Sequence, residues 1–241
     1  MSVLITIEGT DGSGKQTQCD EICKYFSSLG FKVKTLSFPM YNNDSSHFVK
    51  EYLNGKYGDL KHMKINEYGG SLFFAMDRFI SFISDWGKDY KDYDFIIMDR
   101  YVESNLIHQG AKIESLSDLV HYIDWEQDFE YNRLGLPKPD ITLFLNMTPE
   151  ASELLRKNRK NKMNQSDVKD IHESDMEYQM KSYTTAYTIS DLCGWKRIDC
   201  TLSDYVSSIK DIKKISSITS ECIDAILKNP KVKRIYKNMK G

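Results

Sequence analysis

The stretch VLITIEGTDGSGKQTQCDEICKYFSSLG, residues 3–30, constrains this chain more than any other. A β-rich run ends at Gly9, Gly12 and Gly14 follow closely, and an amphipathic helical pattern begins at once. A strand that feeds a Gly-rich turn and then a helix turns consecutive backbone N–H groups, and the positive end of the helix dipole, toward an anion. We read Gly9, Asp11, Gly12, Ser13, Gly14, Lys15, Gln16 and Thr17 as contacts to nucleotide phosphates, with Lys15 supplying a cation to the outer ones. Gln16 departs from the usual pattern, in which a Ser or Thr hydroxyl there touches magnesium. Thr17 does not replace that hydroxyl, because it projects about 100° further round a helix.

The rest of the chain alternates in kind. KVKTLSF (32–38), FIIMD (95–99), ITLFLNM (141–147) and WKRID (195–199) read as further strands, with helical patterns between them. The apolar runs suit strands covered on both faces. Thr148-Pro149-Glu150 opens a helix with a cap and a proline at its first position. Strand–helix alternation predicts an α/β fold: a P-loop NTPase fold with a parallel five-stranded β-sheet flanked by α-helices. One domain over residues 1–228 is expected, with a polar, basic lid at about 156–170. KNPKVKRIYKNMKG (228–241) carries six Lys or Arg and no acid, and from about 229 onward reads as a solvated, loose basic tail.

The formal net charge of -2 offers no basic field for nucleic acid. No apolar run approaches the length of a membrane span, and no signal segment precedes the first strand. Five cysteines without metal spacing fit reduced thiols, so a cytoplasmic setting is expected.

Asp99 closes the FIIMD run, at the strand edge where open α/β sheets bind ligands. A carboxylate there, near a phosphate loop, suits magnesium held through water, with Asp11 as its companion and Glu8 weaker. Arg100 follows and can fork onto a phosphate. In the helical pattern from about Ile65 to Trp86, Leu72, Met76, Phe79 and Ile83 form one stripe, the expected core face. Phe74 falls on the other side with Arg78, Ser81 and Asp85. Periodicity leaves Phe74 open between packing and presenting a platform for a planar ligand, with Arg78 one turn away.

IEGTDGSGKQTQ, the FP pair at 38–39, SLFFAMDR (71–78), MDRYVESN (98–105), QGA (109–111), RLGLPKPD (133–140) and DIHESDMEYQ (170–179) occur in this order. In that order they resemble the thymidylate kinases, P-loop nucleoside monophosphate kinases that phosphorylate dTMP with ATP. The resemblance implies ATP and Mg2+ at the loop. It implies dTMP against Asp11, Phe38, Pro39, Tyr41, Phe74, Arg78, Arg100, Ser104, Asn105 and His108. Phe74 would stack on thymine, Arg78 and Asn105 would contact the base, and Asp11 would lie near the acceptor hydroxyl. Asp170, Glu173 and Tyr178 resemble lid-to-helix contacts near the acceptor. Lys15, Arg100, Asp11 and a lid arginine, Arg159 rather than Arg156, would form the catalytic set. A homodimer is implied too.

Three departures stand out. Met40 and Tyr41 occupy the place of an Arg that some relatives carry after the FP pair. Gly12 takes the place of a loop Arg, and His108 that of a Tyr near the sugar. A kinase for another acceptor and a nucleotide-binding regulator without turnover share most of these features.

Overall fold

The computed structural model describes residues 1–57, 65–163, 176–203 and 205–240, excluding the side chains of 158–163, 239 and 240. In chain order, β1 (Val3–Glu8) leads to α1 (Lys15–Ser28) and β2 (Val33–Ser37), then to α2 (His47–Leu53) and α3 (Glu67–Ser81). A π-turn (Phe82–Trp86) and α4 (Asp89–Asp92) precede β3 (Phe95–Asp99), α5 (Val102–His108) and α6 (Leu116–Gln127). β4 (Ile141–Asn146), α7 (Pro149–Met163), α8 (Met176–Leu192), β5 (Lys196–Asp199), α9 (Ile215–Leu227) and α10 (Pro230–Lys240) complete it. The sheet order is β2-β3-β1-β4-β5, and every pair is parallel. The α/β expectation and its five strands hold.

Side chains of β1 alternate between the two faces of the sheet. Val3, Ile5 and Ile7 join Phe26 of α1, Cys222 and Ile226 of α9, and Val232 of α10 in one core. Leu4 enters a second core with Phe38, Trp86 and Tyr101. Glu8 lies on that second side, which carries it toward α5. With β1 central and both faces covered, its C-terminal end and that of β3 are fixed side by side, Ile7 opposite Asp99.

Two sequence expectations fail here. Leu72, Met76 and Ile83 of the anticipated core stripe are exposed, as is Ile80, and Phe79 is half-buried. The buried face of the helix is polar: Ser71, Asp77, Arg78 and Ser81. Asp77 receives the Met40 N–H at 2.8 Å and the Ser45 hydroxyl, and Ser71 meets the Tyr122 hydroxyl at 2.7 Å. Hydrogen-bonded partners from distant segments make burial of that polar face affordable. The basic C-terminal stretch is likewise not loose. Val232, Ile235 and Tyr236 share one side of α10 and pack on the first core. Lys231 also bonds Asp140 at 2.6 Å and the Ser2 carbonyl at 2.7 Å.

Candidate active site

Gly14 caps the N-terminus of α1 with φ 92°, and Gly12 takes φ 80°. Both are left-handed conformations that glycine adopts without strain, and they curl the loop around the helix N-terminus. Lys15 is buried and bonds the carbonyls of Gly9 (3.1 Å) and Thr10 (2.9 Å). Burial, then the nearby Arg100 charge, bring its ammonium down to about 8. Gln16 turns away along the helix, its amide on Asp20 at 3.0 Å, and does not stand in for the missing hydroxyl. Ser13 Oγ is buried without a hydrogen-bond partner among the described residues.

A cleft of about 410 Å³ runs from this loop across the strand ends. It is lined at the loop by Asp11, Gly12, Gly14, Lys15, Gln16 and Thr17, and at its centre by Phe38, Pro39, Tyr41, Asp99 and Arg100. Phe74, Arg78, Ser104, Asn105 and His108 line its far end. The sequence-derived residues therefore converge, apart from Gly9 and Ser13 beneath the loop, and Arg159, which lies in α7 with its side chain outside the described set. Asp170 and Glu173 also fall outside the described residues.

Arg100 is the hub. Its φ of 69° is unusual for a side chain with a Cβ and aims it back over the loop. The guanidinium pairs with Asp11, bonds His108 Nε2 at 2.9 Å and reaches Ser104 Oγ at 3.3 Å. Burial pushes the Asp11 carboxyl up, but Arg100, then His108, Lys15 and Arg156, outweigh it and hold the group well below the usual carboxylate range. Glu8 underlies this hub. It receives the Tyr101 N–H at 2.8 Å and the Ser104 hydroxyl at 2.7 Å, so its oxygens orient α5. Burial raises its pKa.

Asp99 Oδ1 is buried without a hydrogen-bond partner among the described residues, within the cleft lining. An unpaired hard oxygen beside a phosphate loop fits a magnesium ion that keeps several waters. No cage of three or more ligating side chains occurs among the described residues, which also suits an ion held chiefly by phosphates and water. Arg156 of α7 is placed over the loop, since a Cβ on Gly12 would lie 3.7 Å from its Cγ and Cδ. Its Nη2 donates to Gln179 Oε1 at 3.2 Å.

At the far end Phe74 is half-buried, with Tyr52 edge-on at 5.9 Å. Arg78 is buried and forks onto Glu130, with Nε 2.7 Å from Oε2, while Nη1 donates to the Tyr101 carbonyl at 3.2 Å. Asn105 donates to Glu126 at 2.6 Å. Two carboxyls share one guanidinium here. Burial, then the Glu130 charge, raise Glu126 well above its usual range, while Arg78 forks onto Glu130. Sequence reasoning missed Glu126, Glu130, Tyr52 and Gln109. Gln109 Oε1 is buried in the cleft wall against Gly70, with no hydrogen-bond partner among the described residues. No local pattern marks these residues, because their partners are remote in the chain.

A central parallel sheet, a Gly-rich loop with its lysine and an arginine-rich cleft at the strand ends define a P-loop nucleotide kinase. The family model for thymidylate kinase matches residues 7–205, and the chain belongs to the thymidylate kinase family. A thymidylate kinase of Mycobacterium tuberculosis is 33% identical over 181 residues, 75% of this chain and 82% of that one. A probable thymidylate kinase of Archaeoglobus fulgidus is 31% identical over 159 residues, 66% of this chain and 71% of that one. The fold is similar to that of the thymidylate kinase of Ehrlichia chaffeensis, with TM-score 0.60 and 22% identity over 93% of this chain and 98% of that one.

Proposed function

We propose that this protein transfers the γ-phosphoryl group of ATP to dTMP, giving dTDP and ADP, a step toward dTTP. One observation carries the reading: a single cleft joins a phosphate loop to a half-buried aromatic platform, with Arg100 between them. ATP phosphates take the loop, and Lys15 leaves its own loop carbonyls for them. Thymine lies on Phe74, with Arg78, Asn105 and Gln109 around its polar edge.

The dTMP phosphate is largely dianionic near neutral pH, so its oxygen attacks without a general base. Positioning and charge neutralisation supply the rate. Arg100 holds the acceptor phosphate and Asp11 orients Arg100. Arg156, which lies beside Gly12 of the loop, is supported as the lid cation alongside Arg159. Closure of the lid excludes water from the transfer. Asp99 and Asp11 would hold Mg2+ through water. The metal, when bound, neutralises phosphate charge.

Incubation of the purified protein with ATP, titrated MgCl2 and a panel of nucleosides and monophosphates tests this. We expect dTDP from dTMP and none without a divalent ion. Preferred turnover of another acceptor would replace dTMP in the scheme, and nucleotide binding without product would make the protein a regulator.

Exposed Leu72, Met76 and Ile80 on α3, with Ile83 in the π-turn that follows, support a homodimer across that helix. Sedimentation at micromolar concentration should give twice the chain mass, and Met76→Asp should give the monomer. Five free thiols support a cytoplasmic setting. Among the described residues no helix is long and apolar enough to cross a membrane.

A further inference from the structure

A groove of about 710 Å³ opens at the N-terminal ends of β4 and β5, across the sheet from the nucleotide cleft. Its volume is that of a small-molecule site. Apolar side chains of Val120, Ile123 and Leu192 and the ring of Trp195 line it, together with Pro139 of the GLPKPD stretch. Glu103 of α5 also lines it, only 5% exposed. One carboxyl oxygen of Glu103 accepts from the Tyr131 hydroxyl at 2.6 Å. The other, Oε2, is buried with no hydrogen-bond partner among the described residues.

A buried carboxyl oxygen left unpaired loses its hydration without a compensating bond, and that destabilises the fold. Burial, then the charge of Glu8, raise Glu103 to about 7, but protonation does not remove the deficit. The new O–H would itself lack an acceptor. Lys138 does not relieve it either, because its ammonium bonds Gln127 Oε1 at 3.3 Å and lies over the Tyr131 ring. The charges select the occupant. On the lining Lys138, Lys196 and Lys228 are balanced by Glu103, Asp124 and Asp140, so no net charge draws an ion of either sign. What remains is an uncharged donor with a flat apolar body.

We propose that this groove is a second ligand site, for a small neutral heteroaromatic molecule that donates a ring N–H to Glu103 Oε2. The site is separate from the kinase cleft and does not depend on the acceptor assigned there.

Indole and 1-methylindole, which differ at the donor, make the matched probe pair. The full chain, labelled with 15N, is saturated with dTMP and a non-hydrolysable ATP analogue so that the cleft is filled. The side-chain N–H signal of Trp195, one of three tryptophans and assigned through Trp195→Phe, reports the groove. Indole should shift it saturably, and 1-methylindole should bind about tenfold more weakly, the share of a hydrogen bond to a carboxylate. In Glu103→Leu the two should bind within about twofold of each other. If that variant does not fold, the pair on the unaltered protein still decides. No saturable shift with indole, or equal affinity for both probes, would leave Glu103 to solvent water and overturn the site.

Discussion

The two ends of the cleft are built by opposite means. At the loop end, Gly9 to Thr17 are consecutive, and the binding groups are backbone N–H donors plus one lysine folded onto its own carbonyls. At the far end, Phe74, Arg78, Asn105 and Gln109 come from two helices and are braced by Glu126 and Glu130 from a third segment. In the proposed function the loop end is exchangeable: Lys15 would give up its bonds to the Gly9 and Thr10 carbonyls for phosphate. The far end is prepaid, because Arg78 is already locked by a fork to Glu130. A kinase gains from that division. Phosphate must be gripped and released each turnover, whereas recognition of a base requires a rigid shape.

The comparison can be broken most severely at the loop. Lys15→Ala should lower kcat by about 10³ or more, the scale of removing one cation from a transferring phosphoryl group, with dTMP affinity within about threefold. Steady-state kinetics beside dTMP calorimetry separates the two, and parallel loss of both would mean that the ends are not independent. Glu130→Ala should instead destabilise the fold by about 3–5 kcal/mol, since it strands the buried Arg78 charge. Urea unfolding measures this, and a change under about 1 kcal/mol would show that Arg78 is not prepaid.

Phe74→Ala should weaken dTMP binding by about tenfold to a hundredfold, the range of base–aromatic stacking, with kcat changed by less than about threefold. An unchanged dTMP affinity would remove the platform. A pH series sharpens the loop end. Lys15 sits at about 8 in the free protein, and phosphate binds its ammonium form. ATP affinity is therefore full below pH 8 and falls as pH rises through 8, by up to about tenfold per unit. Calorimetry with an ATP analogue from pH 7 to pH 9 reads the slope, and a flat profile would contradict the depressed lysine. The smallest effect is assigned to Gln16→Ala, which should alter the magnesium half-saturation by less than about twofold because Gln16 faces Asp20.

Much of this was legible in the chain. All five strands, the loop and the Thr148 cap, which receives the Ala151 N–H at 3.3 Å, follow from near neighbours in sequence. Asp99 and Arg100 were readable because a strand end places its next residues by geometry alone. The α10 helix was missed because six positive charges outweighed three apolar residues on one side. Its fate depends on the rings of Phe26 and Phe31, which meet Tyr236 from far along the chain and which no local pattern describes.

The sequence by itself determined the strand–loop–helix, the parallel sheet and the residues at the loop end of the cleft. These rest on backbone conformation and short-range periodicity, which act between residues close in the chain. Only the tertiary structure decided which face of α3 is inside. An apolar stripe records that something covers it, not what does. Ser71, Asp77 and Arg78 turn inward because Tyr122, Ser45 and Glu130 arrive from 51, 32 and 52 residues away with matching donors and acceptors. Paired polar groups bury at little cost, and the pairing exists only once the chain has folded.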